Sequence, residues 1–338
     1  MDRSAAAGIE SGGIALDVDA AGPPPNQTTL PTMRRVVDPG EDPFAHPAER
    51  DLARLLDFYR VRWVYEPTAF AIDHDAHGRP RAFFTPDFYL PDHRCYLELT
   101  TMRQELVTRK NRKLRLLREH FPNVSIRLLY RRDCARIAEL FPDDDEPARP
   151  ARLGRVLFPD AEIRARVDEM AGALAASLAD RSPDEPTPLL LRLGNASSLL
   201  PDLLAAGLRR RGVVTAADRL HLSRFRPHAA GQGVAVRRAP VFPLAGRRVV
   251  LVADVVNTGL SFAYLRRWLL QHGAAGVEIC ALLDRAPARL VDVPIAHAAF
   301  AAPDQPLAGW GLHAHGPFRD LPYIATVEPD VPGNGKPS

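Results

Sequence analysis

Apolar positions along this chain follow two periods, one near 3.6 residues and one of two, and they alternate between the two repeatedly. Pro47–Tyr59 places Leu52, Leu55, Leu56 and Tyr59 on one side of a helix. Val61–Glu66 and Ala69–Asp73 read as short strands, and Asp75–Arg79 as a turn around Gly78. Ala82–Leu90 and Arg94–Thr100 alternate as the arms of a hairpin. Arg103–His120 is a long, basic, amphipathic helix, Val124–Tyr130 a strand and Asp133–Phe141 a helix. Phe141–Gly154 (FPDDDEPARPARLG) has no apolar period and breaks the pattern. Beyond it, strands and helices alternate: a helix at Asp160–Ala179 with Asp160 as its cap, a strand at Leu189–Leu193, a helix at Ser197–Arg211, a strand end at Arg219–Ser223 and a mobile loop at Arg226–Gly233. The central strands are Val249–Ala253 and Val277–Leu283, with a helix at Phe262–His272 between them. Such alternation predicts a parallel sheet with ligands at the carboxyl ends of its strands.

One stretch organises the second half. In VVLVADVVNTGLS (Val249–Ser261) an apolar run, suited to a strand buried on both faces, leads into Asp254, Asn257, Thr258, Gly259 and Ser261 and then into a helix. Strand, small-residue turn and helix N-terminus together aim backbone N–H groups and hydroxyls at a phosphate. Thr258 and Ser261 supply hydroxyls, and Gly259 allows close backbone approach.

Composition narrows this picture. At 338 residues there is room for two domains and two cores. Hydrophobic residues make up 46% and charged residues 25%, as in a soluble globular protein, and a net charge of +3 does not by itself call for nucleic acid. The charge is uneven, with a dense Arg/Lys run from Arg103 to Arg136 and an acidic patch at Asp143–Glu146. The cysteines, Cys95, Cys134 and Cys280, are scattered, which argues for a reducing cytoplasmic setting and against a disulfide frame. No apolar run is long enough to predict a membrane span or a signal peptide. Gly-, Ala- and Pro-rich residues 1–42 are expected to be disordered. The predicted division is a first module over 43–141, a linker over 142–154, a second module over 155–330 and a tail over 331–338.

The second half resembles the hypoxanthine–guanine branch of the type I phosphoribosyltransferases. The resemblance rests on the 249–261 stretch, on LLDRAPAR (Leu282–Arg289) and on GWGLHAHGPFRDLPYIATVEP (Gly309–Pro329), whose Arg319, Leu321, Pro322, Tyr323 and Ile324 match the C-terminal hood motif. It implies an α/β parallel-sheet domain with a hood that binds 5-phosphoribosyl diphosphate (PRPP) or a purine 5′-nucleotide. Asp254, Asn257, Thr258, Gly259 and Ser261 would hold the ribose and its phosphate, Arg285 the purine carbonyl and Arg319 the pyrophosphate. Several expected groups differ. The acidic pair before the loop is Ala253-Asp254, the presumed catalytic base is Asn257, the stacking aromatic aligns with Pro306, and the hood's metal-binding acid with His313. Leu193-Gly194-Asn195 lacks its lysine. An amide has no useful proton affinity near neutral pH, so binding is expected with doubtful turnover and a doubtful Mg²⁺ site. His313 and His315 read as solvated histidines.

The first half resembles the PD-(D/E)XK, restriction-endonuclease-like superfamily, close to its transposon-type members, over Ala48–Tyr130. Pro86-Asp87 matches the first element and Glu98 the second acid, with Glu49 on the preceding helix. The resemblance implies an αβββαβ domain in which Asp87 and Glu98 hold Mg²⁺, or alternatively Mn²⁺, beside a catalytic lysine. Thr100 stands at the usual lysine position, so Lys110 and Lys113 on the following helix are the candidates. The basic helix 103–120 suits a DNA backbone. Three functions follow: a phosphoribosyltransferase-like nucleotide binder, a nucleotide-gated DNA endonuclease, and a non-catalytic nucleic-acid-binding ligand sensor. Oligomeric state stays open.

Overall fold

A computed structural model describes residues 43–100, 104–139, 151–180, 182, 184–194, 198–226, 233–312 and 318–329. The expectations for 1–42, 142–150 and 331–338, most of the predicted 226–233 loop, and those for Asn195, His313 and His315, lie outside the described residues.

The first half runs α1 (Pro47–Phe58), β1 (Val64–Tyr65), β2 (Phe70–His74), β3 (Pro80–Phe84), β4 (Phe88–Leu90), β5 (Cys95–Thr100), α2 (Gln104–His120), β6 (Ser125–Tyr130) and α3 (Arg131–Glu139). Its sheet has the order β1-β4-β5-β6, with β4 antiparallel and β6 parallel to β5. The expected Ala82–Leu90 arm is two strands instead of one. β3 pairs with β2 in a separate ribbon, and β4 pairs with β5. Pro86 lies at the break, where it has no N–H to offer a ladder.

The second half runs β7 (Ala151–Pro159), α4 (Asp160–Ala179), β8 (Leu189–Leu193), α5 (Leu200–Arg210), β9 (Ala216–Leu222), β10 (Val236–Arg238), β11 (Arg248–Val256), α6 (Leu260–Gln271), β12 (Gly276–Asp284), β13 (His297–Ala301), β14 (Leu307–Ala308) and β15 (Tyr323–Pro329). Its main sheet has the order β10-β9-β8-β11-β12-β13, parallel from β9 to β13. A second sheet, β14-β15-β7, forms a hood. Ala151–Gly154, the last four residues of the stretch read as a linker, open β7. A hood strand with mostly half-exposed residues shows no clean alternation to read. Asp160 is the first helical residue and not a cap: Pro159 precedes it without a side-chain cap, and the carboxylate instead accepts from Arg164 Nε at 2.7 Å and Trp310 Nε1 at 3.0 Å.

Alternation along β11 divides the interior. Val249, Leu251 and Ala253 face one core, and Val250 and Val252 the other. The first of these cores does not stop at the boundary between the halves. Leu52, Leu55 and Leu56 of α1 and Leu97 and Leu99 of β5 share it with Val256, Leu260, Leu265 and Val291. One core therefore runs through both halves, with further cores under the hood and under α2. Polar contacts reinforce the junction. Val234 N donates to Phe58 O at 2.7 Å, Arg127 Nη1 donates to Arg289 O at 2.8 Å, and Arg127 also pairs with Asp292. No described helix is long and apolar enough to cross a membrane.

Candidate functional sites

β11 delivers Asp254 near its carboxyl end, and the chain then turns through Asn257, Thr258 and Gly259 into α6. A cavity of about 510 Å³ opens there. Asp254, Asn257, Thr258, Gly259, Ser261 and Arg285 all line it. The first turn of α6 has N–H groups without intrahelical partners, and Gly259 precedes it without a side-chain cap. Leu260 N is taken by Thr258 Oγ1 at 3.4 Å, while Gly259, Ser261 and Phe262 bring the positive dipole end of the helix to the cavity.

Each predicted residue has a definite setting. Ser198 Oγ donates to Asp254 Oδ1, while Asp254 Oδ2 is buried without a protein partner. Burial holds the Asp254 carboxyl above its ordinary range. Asn257 Oδ1 is also buried without a partner. Two buried acceptors bordering one cavity are suited to hydroxyl or N–H donors from a ligand. Arg285 Nη2 donates to Gln305 O at 2.9 Å. Ser261 Oγ is not simply presented to a ligand: it bonds Tyr59 OH of the first half at 3.1 Å. Gly259 has φ +82°, and a Cβ there would lie 2.4 Å from Val291 O. Its closest demand is therefore approach to a backbone carbonyl, not only to an anion. Pro306 and Leu312 form apolar parts of the lining, as does Phe262, an aromatic to which the sequence pattern assigns no role. Arg319 stands outside the described lining, on the hood, with its guanidinium 3.8 Å from Asp320.

The second candidate site lies where β4 and β5 part. Phe88 pairs with Leu97, and beyond that pair the backbone amides turn to side chains. Asp87 N donates to Glu98 Oε2 at 3.1 Å, and Leu99 N donates to Asp87 Oδ2 at 2.6 Å. Lys110 Nζ reaches Glu98 Oε1 at 2.6 Å and also bonds Leu99 O. Glu98 is only 3% exposed. Burial pushes its carboxyl up against the opposing pull of Lys110. Burial, with the negative Glu98 next in weight, pushes Asp87 up to about 7. Glu49 is close enough to add to that potential, but its Oε2 is taken by Ala45 N at 2.9 Å, His46 N at 3.3 Å and Tyr65 OH at 2.8 Å. It closes a capping box at the start of α1. Lys113 is not brought to the acids; its Nζ bonds Phe83 O at 3.3 Å on the β2–β3 ribbon. Among the described residues, no group of three or more His, Cys, Asp or Glu side chains is arranged to hold a metal ion. Asp87 and Glu98 are a pair, and both oxygens of Glu98 are already engaged, Oε1 by Lys110 and Oε2 by the Asp87 N–H.

The Asp87 shift fixes a pH dependence. Unfolded, the carboxyl ionises near 3.8; folded, near 7. Between those values the unfolded chain has released a proton that the folded chain retains, so this group lowers stability as pH rises from about 4 to about 7. Asp87→Asn, which keeps an acceptor for the Leu99 N–H, should melt higher than the parent at pH 8 and no higher at pH 4. Thermal melts at the two pH values check this.

The second half is thus a parallel-sheet α/β module with a small-residue loop and a cavity at the carboxyl end of its central strand. Over about half the chain it is homologous to hypoxanthine–guanine phosphoribosyltransferases. The chain is 29% identical over 200 residues to the Mycobacterium avium hypoxanthine-guanine phosphoribosyltransferase, covering 58% of this chain and 93% of that protein. The Bacillus subtilis enzyme of the same name is 25% identical over 180 residues, covering 53% and 96%. With the Lactococcus lactis enzyme the identity is 35% over 86 residues, and the chain spans 46% of that relative's length. Among solved structures, a Trypanosoma cruzi hypoxanthine phosphoribosyltransferase in complex with IMP aligns at TM-score 0.48 and 24% identity, over 53% of this chain and 96% of that one. No protein-family model matches the chain.

Proposed function

We propose that this chain binds PRPP or a purine 5′-nucleotide through the 254–261 loop, in a transferase-like pocket that retains little of the machinery for turnover. The observation that carries the reading is the cavity beside Asn257, Thr258 and Gly259, bordered by the unpartnered acceptors of Asp254 and Asn257 and by Arg285. The homology to hypoxanthine–guanine phosphoribosyltransferases supports it. Asn257 offers an amide where a base would need proton affinity, and the loss of a general base costs about 10²–10⁴ in rate. For Mg²⁺ the 254–261 loop itself offers one carboxylate, Asp254, with Ala253 beside it, while Asp133 and Asp304 also line the cavity. That donor set suits an ion arriving with the diphosphate better than a resident one. A thermal-shift screen with PRPP, GMP, IMP and ribose 5-phosphate tests the reading. At a ligand concentration of about 100 Kd, binding adds about 2.7 kcal/mol of apparent stability. No shift with any of the four at millimolar concentration contradicts it.

A second reading is favoured by one specific arrangement. Asp87, Glu98 and Lys110 converge although Lys110 comes from the helix after β5. Asp87 and Glu98 would hold Mg²⁺ or Mn²⁺, an ion that polarises a phosphodiester and lowers the pKa of its water. Lys110 would neutralise one carboxylate and stand beside the scissile phosphate, and the exposed basic residues of α2 would meet the DNA backbone. In this reading the chain is an endonuclease, with nucleotide binding in the second half as its gate. Metal-dependent nicking of supercoiled plasmid, lost in Asp87→Ala, is the expected result. Nicking that survives this substitution rejects the site. DNA retention that falls with salt, without any nicking, leaves the non-catalytic sensor.

A further inference from the structure

A second cavity, of about 570 Å³, opens where α2 and β6 meet the segment that follows β12. No residue of the 254–261 loop lines it. Four arginines do: Arg115 and Arg118 of α2, Arg127 of β6 and Arg289 of the second half. Among the described residues, no acid lines it. Asn111, Leu114, Arg115 and Arg118 stand at i, i+3, i+4 and i+7, one stripe of a helix, which is why α2 turns both arginines the same way. Three acids take part of the charge. Asp292 pairs with Arg127, Asp284 with Arg289 Nη2, and Glu119 lies 3.6 Å from Arg115 in an exposed contact. Arg289 keeps an unmet demand. It is 7% exposed, and its Nη1 is buried with no hydrogen-bond partner. Burial pulls its guanidinium pKa below the ordinary value. An unpaired donor on a buried charged group is costly, and an anion in the cavity offsets that cost.

We propose that this groove is a second phosphate site, separate from the 254–261 loop, and that it holds a backbone phosphate of a nucleic-acid strand. A guanidinium presents its donors as a fork that matches phosphate oxygens two at a time, so Arg289 and Arg127 keep donors for an anion after serving Asp284 and Asp292. The charge runs from a buried floor at Arg289 to an open rim at Arg115 and Arg118, both exposed. An open rim lets a chain enter and leave. It also leads along α2 towards the acid pair. Arg118 lies eight residues beyond Lys110 on the same helix, a rise of about 12 Å. That matches three to four steps along one duplex strand at about 3.4 Å each. A strand seated between Arg118 and Arg289 therefore reaches Lys110 and Glu98 with a phosphate a few nucleotides away. The proposal rests on the DNA contact of the second reading and adds that the second half, through Arg289, supplies one of the anchors.

Fluorescence anisotropy of a short labelled DNA duplex, titrated with the full chain over a range of salt concentrations and with EDTA present to prevent cutting, tests this. Arg115→Gln and Arg118→Gln should each weaken binding about fivefold and lower the salt slope by about 1. Arg289→Lys keeps a cation for Asp284 but loses the fork, and should weaken binding by a similar factor. Arg112→Gln serves as the comparison. Arg112 is exposed on α2 but does not line the groove, and its loss should change affinity by less than about twofold. If the duplex binds and all four variants weaken it equally, or none does, the groove is overturned while DNA contact stands. If the duplex does not bind at all, both fall. If inorganic triphosphate binds, in a way that depends on Arg118, and the duplex does not, the nucleic-acid assignment is overturned. Should Arg289→Lys not fold, Arg115→Gln and Arg118→Gln on the exposed rim decide against Arg112→Gln.

Discussion

Lys110→Met is expected to destabilise the protein by about 3 kcal/mol at pH 8 and by much less at pH 5, because it strands a carboxylate that the fold has buried. Glu98 is 3% exposed, and Lys110 Nζ lies 2.6 Å from its Oε1. The other partners of Glu98 are both on Asp87, its N–H on Oε2 and its side chain. Without the ammonium, the already raised Glu98 carboxyl rises further, since the pull of Lys110 is what opposes its desolvation. At pH 5 the variant can protonate Glu98, and the uncompensated charge disappears. At pH 8 protonation is costly and the full penalty is felt. The double variant Glu98→Gln with Lys110→Met should recover most of the loss at pH 8, and what remains measures the bond from Lys110 to Leu99 O. Urea unfolding at both pH values checks this. Equal destabilisation at pH 5 and pH 8 would assign Lys110 a packing role only.

Gly259→Ala should cost about 3 kcal/mol and should also weaken ligand binding, for two separable reasons. The residue sits at φ +82°, a region that residues with a Cβ avoid. Its Cβ would also meet Val291 O at 2.4 Å, with Arg289 Cδ at 3.1 Å and Val291 Cγ2 at 3.3 Å. Relief requires the start of α6 to move away from the 289–291 segment, and that start is one wall of the cavity. Gly194→Ala separates the two causes. Gly194 has φ +77°, and a Cβ there would meet no atom within 4 Å. It should show only the conformational part, about 1 kcal/mol. Chemical unfolding of both variants gives the comparison. Equal losses at the two positions would mean that crowding against Val291 is unimportant.

Much of this architecture was legible because period and burial agree. β8 and α4 occupy Leu189–Leu193 and Asp160–Ala179, the ranges predicted from their apolar spacing. The phosphate-loop candidate was legible because a fully apolar strand followed by small polar residues has few other uses, and the structure places an open cavity beside it even though Thr258 and Gly259 are themselves buried. What the sequence did not disclose is mostly long-range. Nothing local tells that Ser261 will bond Tyr59, more than two hundred residues away in the chain. Nothing local tells that α3 will border the pocket. Lys110 and Lys113 lie on one helix and look alike in sequence; only the packing of α2 against both the β1-β4-β5-β6 sheet and the β2–β3 ribbon sends one to Glu98 and the other to Phe83 O. Glu49 was legible as an acid near the site. Its capping role depended on where α1 begins, and the His46–Glu49 spacing was the signal for that. The strands β13, β14 and β15 were missed because they are short or mixed in polarity and draw their pairing partners from distant segments.

The claim on which the rest depends is that the bend from Asp254 to Ser261 receives a sugar phosphate. Phosphorus NMR of GMP titrated with the full chain addresses it directly, since the phosphate itself reports its surroundings. The account predicts a resonance that broadens and shifts on adding the parent protein, and a clearly smaller effect with Gly259→Ala at equal concentration. A GMP resonance that stays sharp and unmoved in excess folded parent protein would contradict it.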